Sequence, residues 1–295
     1  VIWDWDWEQY TSDAVPGNSS FYANPGPLNS GTLLNNPTAI QVIDNTTLVV
    51  SDAGNNRLLK VVRTSGGLTT DGDLNGAAMD TVNPSPFTCG LVDLSYYSGQ
   101  LYTLEKNAPV SLKKVNPADF LVTETITYPI GSDNLSAPEG MVRSAGLFFV
   151  ADTSVGVVRR IDSSIGAFFS ESAQVTTPFK LKLDSSNTYL YVTDQAAGKL
   201  YKYSSDLNPM GQQWVVNATS ATDLVLTATH ILVSDAVNGK IYVHRQSDCG
   251  FVYEFGSTAA NNLQNPFGLA IIGNDLYIVE RTNPGRITRI RSHGW

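Results

Sequence analysis

Along nearly the whole chain, short runs of β-branched and aromatic residues alternate with polar ones at every second position. Gly, Asn, Asp or Pro turns break the runs every few residues. A period of two between turn signals predicts β-strands throughout, and no stretch of helical periodicity competes. Six stretches share one layout: LVVSDAGNNRLLKV, LYTLEKNAPVSLKKV, FFVADTSVGVVRRI, LYVTDQAAGKLYKY, ILVSDAVNGKIYVH and LYIVERTNPGRITRI. Each is an apolar run, an acid, a turn, and a second alternating run carrying basic residues. The acids are Asp52, Glu105, Asp152, Asp194, Asp235 and Glu280, spaced 53, 47, 42, 41 and 45 residues apart. That period matches a four-stranded propeller blade and exceeds the roughly 34 residues of a helical solenoid repeat.

Another apolar strand precedes each copy, usually after a proline. These strands begin near residues 37, 89, 138, 178, 222 and 266, and a more variable segment follows each of the first five copies. The reading is therefore one all-β domain over residues 1–295, a six-bladed β-propeller of four-stranded antiparallel blades. The sixth copy ends with no fourth strand, and Val1–Tyr10 (VIWDWDWEQY) supplies one. It sets Trp3, Trp5 and Trp7 on one face and Ile2, Asp4, Asp6 and Glu8 on the other. Three buried Trp rings account for about 500 Å², or roughly 10 kcal/mol of gross transfer free energy. Completion of the last blade by residues 1–10 closes the ring and covers a bare edge. Donation of the same strand to a neighbouring molecule, which would build a polymer, is the alternative.

At the level of repeats the sequence resembles the NHL-repeat family of six-bladed propellers. The resemblance is carried by Ser51-Asp52-Ala53-Gly54-Asn55-Asn56-Arg57, by Val150-Ala151-Asp152, by Asn265-Pro266-Phe267-Gly268-Leu269-Ala270, and by the Gly/Asp-rich linker at residues 71–78. The second copy departs most, with Glu105 for Asp and Pro109 in its turn. The recurring acids are expected to accept backbone N–H bonds and tie down their turns. They stand too far apart around a ring to share one ion.

Composition narrows the function. The chain has 295 residues, 42% hydrophobic and 16% charged, with a net charge of −8 and a pI near 4.8. An acidic surface gives no footing to nucleic-acid phosphates. No apolar run approaches the ~20 residues of a membrane-spanning helix. The low Lys content, the abundance of Ser, Thr, Asn and Gly, and a start at Val1 without a charged-then-apolar leader lead us to expect a secreted protein after signal removal, or an excised fragment. Four Asn-x-Ser/Thr sequons occur, at Asn18, Asn45, Asn134 and Asn217, about as many as chance gives. Cys89 and Cys249 fall in opposite blades on opposite faces, so no bond between them is expected within one subunit. Two separate thiols, or a disulfide between molecules, remain.

Catalytic propellers of the related gluconolactonase and strictosidine-synthase-like groups hold a calcium or zinc ion at the central channel. By that resemblance Glu139 and Asp223 are the candidate ligands, among mouth residues Thr38, Glu139, Lys180, Thr222, Asp223 and Phe267. The amidating lyase of similar fold uses several channel histidines, whereas His230, His244 and His293 sit at no first-strand start. No nucleophile elbow, phosphate loop or CxxC is present. The expectation is a non-catalytic secreted propeller without a cofactor, meeting a protein partner or its own kind through its faces. A repeating subunit of an extracellular filament or coat is one form of that role. The alternative is a calcium-dependent hydrolase built on Glu139 and Asp223.

Overall fold

The computed structural model describes residues 6–11, 34–64, 67–70, 87, 90–107, 109–128, 135–164, 166–172, 174–211, 214–258, 261–282 and 285–291. The architecture is a six-bladed β-propeller. Blade 1 comprises Ala39–Val42, Thr47–Asp52, Arg57–Thr64 and Gly67–Thr70, and blade 2 Leu91–Tyr97, Gln100–Glu105, Val110–Val115 and Val122–Tyr128. Blade 3 runs through Pro138–Ser144, Leu147–Asp152, Val157–Asp162 and Phe168–Glu171, and blade 4 through Pro178–Leu183, Tyr189–Asp194, Lys199–Ser204 and Trp214–Val215. Blade 5 holds Ala221–Leu226, His230–Asp235, Lys240–Arg245 and Phe251–Phe255. Blade 6 holds Pro266–Ile272, Asp275–Glu280 and Arg286–Arg291, and its fourth strand is Asp6–Thr11. We label the strands of each blade a to d, from the channel outward.

Strand a of every blade contacts strand a of the blades on either side, so the six close into a ring. The closing strand pairs antiparallel with strand 6c, from Asp6 opposite Arg291 to Thr11 opposite Arg286. The first segment of the chain therefore completes the last blade, as the unfinished sixth repeat predicts. The side chains of Trp3, Trp5 and Trp7, the linker at 71–78, Asn18, Asn134, Cys89 and His293 lie outside the described residues.

The core is six wedges, one between each pair of neighbouring blades. Tyr102, Phe148 and Val150 fill the wedge between blades 2 and 3; Leu232, Ile278 and Ile290 fill that between blades 5 and 6. Strand b is buried at every position in blades 1 and 6. It reads as a continuous apolar run because a sheet packs on each of its faces. Strand 4d is only two residues long, shorter than the variable segment in the sequence suggests. The preceding loop carries Pro209, which has no N–H to give a ladder, and Leu207, which is buried at φ 62°.

Candidate functional site

The repeated acids sit where strand b meets the b–c turn, and all six are fully buried. Their carboxylates reach beyond their own turns. Asp52 accepts the backbone N–H of Asn35 (2.7 Å), Asp152 those of Ser136 and Ala137 (3.0 Å each), and Asp235 those of Thr219 (2.7 Å) and Ser220 (3.2 Å). Asp194 accepts from Thr176 and Thr177 in the same way, and Glu280 from Gln264. Each of these five acids thus fastens its b–c turn to the segment entering strand a of its blade. A charge-assisted bond of this kind contributes about 1.5–3 kcal/mol. The basic residues of strand c complete the motif: Arg57 Nε lies 2.6 Å from Asp52, Lys113 Nζ 2.6 Å from Glu105 and Arg286 Nη2 2.7 Å from Glu280. Burial raises the Asp52 pKa, with Arg57 and the hydrogen bonds of Asn35 and Asn55 opposing.

The residue in the b–c turn separates the Asp repeats from the Glu repeats. Four residues past the acid stand Asn56, Gly156, Gly198 and Gly239, all at positive φ between 52° and 76°. In blades 2 and 6 that position is Pro109 or Pro284. Proline cannot adopt positive φ, and in both of those repeats the acid is the longer Glu.

The channel wall is built from strands a. Five of the six carry an irregularity near the channel mouth, at residues 91–93, 138–140, 178–181, 221–224 and 266–268. A bulge re-aims the side chains beside it. Asp93, Lys180 and Asp223 are thereby directed into the ring, each at most 3% exposed. Asp93 accepts the N–H of Leu94 (2.9 Å) and that of Met141 in blade 3 (2.7 Å). Asp223, three blades away, repeats this with Leu224 (2.8 Å) and Leu269 of blade 6 (2.9 Å). Lys180 of blade 4 crosses the channel, its ammonium 3.1 Å from Asp93 Oδ1 and donating to the Val92 carbonyl. Burial opposes the charge on Lys182, but the carboxylates of Asp223 and Asp93 raise its pKa above the ordinary lysine value. Burial likewise raises Asp223, with Lys182 opposing. The interior therefore holds two carboxylates balanced by two ammonium groups.

On the face bearing the b–c turns, a cavity of about 160 Å³ is lined by Asn36, Thr38, Lys106, Glu139, Phe267 and Arg281, among others. Glu139 is paired with Lys106 at 2.5 Å. Arg281 lies 4.2 Å over the Phe267 ring and donates to Asn36 Oδ1 at 2.6 Å. Burial lowers the Arg281 pKa while Glu139 opposes that shift. Of the expected mouth residues, Thr38, Glu139 and Phe267 line this cavity. Lys180, Thr222 and Asp223 do not; they are buried in contacts between blades. Glu139 and Asp223 accordingly share no open site, one spent on a lysine and the other on two N–H groups. That donor set does not fit a calcium ion, which needs six to eight free oxygens. Among the described residues, no group of three His, Cys, Asp or Glu side chains is placed to hold a metal.

Asp93, Lys182, Lys106 and Arg281 escape the sequence reading. A signal for the first exists: Asp93-Leu94 and Asp223-Leu224 occupy equivalent places in strands a of opposite blades. Asn45 is exposed in the 1a–1b hairpin, and Asn217 is exposed at φ 59° just past strand 4d. Cys249 is a buried free thiol whose pKa burial pushes up to about 12. His230 opens strand 5b and His244 is buried near the end of strand 5c, its Nδ1 3.0 Å from the Cys249 carbonyl.

The fold places the chain among six-bladed β-propellers. No family model matches it, and no curated protein sequence matches it. Similarity to solved structures is extensive in shape and slight in sequence. A Bacteroides thetaiotaomicron protein of unknown function matches over 98% of this chain and 76% of its own, with a TM-score of 0.66 and 10% identity. Virginiamycin B lyase from Staphylococcus aureus matches over 98% and 99%, with a TM-score of 0.60 and 12% identity. A catalytically inactive histidine-to-alanine form of that lyase with quinupristin matches equally well. At such identities the likeness shows the fold alone.

Proposed function

We propose that this chain is a non-catalytic interaction propeller of the NHL-like kind, secreted, and working through its faces on a protein partner or on further copies of itself. One observation carries the reading: the acids and bases of the channel are spent on the ring. Asp93 and Asp223 each accept two backbone N–H groups, and Glu139 and Lys106 satisfy one another. Groups committed in this way hold blades in register and, among the described residues of the channel, leave no poised acid–base pair. The NHL-like part of the reading is supported by the Asp52-to-Arg57 turn, in which Asn55 and Arg57 both donate to the Asp52 carboxylate. Secretion is supported by the exposed sequons Asn45 and Asn217, and mass spectrometry of native material tests it by finding a glycan on either.

Electron microscopy of natively purified protein tests the role. Rings joined to one another, or to a co-purifying protein, support it. Isolated rings at every concentration, together with lactone hydrolysis that calcium restores after chelation and that Glu139→Gln abolishes, overturn it in favour of the hydrolase.

A further inference from the structure

A second hollow lies on the opposite face, away from the acid-bearing turns. It is a cleft of about 590 Å³ between blades 4 and 5, lined by Asp184, Tyr189, Tyr191, Lys202, His230 and Arg245, with Ala228, Thr229, Gln246 and Ser247 around them. Its volume falls in the range of small-molecule sites. The half-buried Tyr189 forms part of one wall, and Tyr191, 1% exposed, lies behind it. Lys202 stands against them, its ammonium 3.9 Å from the centre of the Tyr189 ring and 5.4 Å from that of Tyr191. The Tyr191 ring is fixed from behind by stacking on Trp214 at 6.3 Å.

The charges of this cleft are arranged differently from those of the channel. Asp184 is turned inward on its own hairpin, accepting the Ser186 hydroxyl (2.6 Å) and the N–H groups of Thr188 (2.8 Å) and Tyr189 (3.0 Å). Burial works against this carboxylate, but those bonds, with Lys202 nearby, hold its pKa below the usual value. Its lone pairs are thus used locally, and no ion pair to Lys202 occurs among the described residues. Arg245 is bound by Asp248 through two contacts of 3.0 and 3.1 Å. Both side chains are more than half exposed, and an exposed pair of this kind is weak and readily exchanged. The cleft so offers an incoming anion the Lys202 ammonium and, in exchange for Asp248, the Arg245 guanidinium.

We infer that the cleft between blades 4 and 5 binds an acidic saccharide, its carboxylate meeting Lys202 and Arg245 and its ring lying beside the half-buried Tyr189. Among the remaining lining, Thr229 Oγ1 and His230 Nδ1 are bonded to each other at 2.8 Å, and such neutral polar groups can trade bonds with sugar hydroxyls. A polyphosphate would demand more positive charge than one lysine and one arginine supply. This site is independent of the interaction role proposed above.

Titration calorimetry and saturation-transfer NMR with trigalacturonate test the inference, with its neutral methyl ester as control. The acid form binds, the ester binds at least about tenfold more weakly, and added salt weakens the acid alone. Lys202→Met keeps the aliphatic stem, loses the charge, and lowers affinity about tenfold with an unchanged melting temperature. If that variant unfolds, Arg245→Gln, altered at an exposed position, gives the same comparison. Lys60→Met in blade 1 leaves binding as it is. Absence of trigalacturonate binding at millimolar concentration, equal binding of acid and ester, or tighter binding of triglutamate than of the saccharide each overturns the proposal.

Discussion

Removing the Asp93 carboxylate is the sharpest probe of the channel. In Asp93→Ala the N–H groups of Leu94 and Met141 lose their acceptor, and Lys180 loses the carboxylate 3.1 Å from its ammonium. Lys180 is 1% exposed, so water cannot take over. Breaking a buried pair from one side costs about 3–5 kcal/mol, because the remaining charge is stranded. At roughly 2–4 °C per kcal/mol the melting temperature falls by on the order of 10 °C. Asp93→Ala combined with Lys180→Met removes the stranded charge, and the double variant recovers about 2 kcal/mol relative to the sum of the singles. Thermal and urea unfolding followed by circular dichroism measure all three. If the single changes add to within about 0.5 kcal/mol, Asp93 and Lys180 do not act as a unit. If Asp93→Ala leaves stability unchanged or raises it, the carboxylate is held at a cost for chemistry and the structural assignment is wrong.

Further outcomes follow from the same geometry. A methyl group on Gly140 would stand 2.1 Å from the Phe179 carbonyl, whereas one on Gly268 would stand 3.1 Å from its nearest neighbour, the Ile40 nitrogen. Gly140→Ala therefore destabilises by about 1–3 kcal/mol or more, and Gly268→Ala clearly less, in the same melts; equal effects refute the close approach of blades 3 and 4. Lys182 has a folded pKa above its unfolded value, so its contribution is complete below about pH 10.4 and is lost as pH rises through the folded pKa. Alkaline melting curves steepen in that window, and Lys182→Met flattens them; unchanged curves count against the coupling to Asp223 and Asp93. In a Cys89→Ser background the buried Cys249 thiol, with a pKa of about 12, reacts with Ellman's reagent near pH 8 only as the protein unfolds. Rapid reaction of the native protein would show that blade 5 opens there.

Strands b and c were legible because their signals are local: a period of two, an acid, and a turn residue four places on. The last strand was legible too, since a blade lacking its edge and an alternating segment at the other end of the chain point to one another. What the carboxylates bind was not legible, because Asp152 meets residues 15 and 16 positions back and Lys180 meets one 88 positions away. Asp93 was hidden inside an apolar run, since its burial depends on the bulge beside it and on a neighbouring blade. The cleft between blades 4 and 5 draws on three turns and four strands, none of which carries a pattern by itself. Glu139 and Asp223 share a type and a place near the channel, yet sequence could not show that Lys106 and two backbone N–H groups already hold them.

The seam between strands 6c and 6d also governs how the molecule responds to force. Asp6 is paired with Arg291 and Thr11 with Arg286, so a pull applied to Asp6 and Arg291 acts on one end of the seam. A pull between them peels the seam one rung at a time, each rung resisting with only about 1 kcal/mol. The same number of rungs loaded along their length would have to break together. Under a pull applied to Asp6 and Arg291, the seam is the first pairing to be loaded rung by rung, and the a–b and b–c pairings of blade 6 lie behind it.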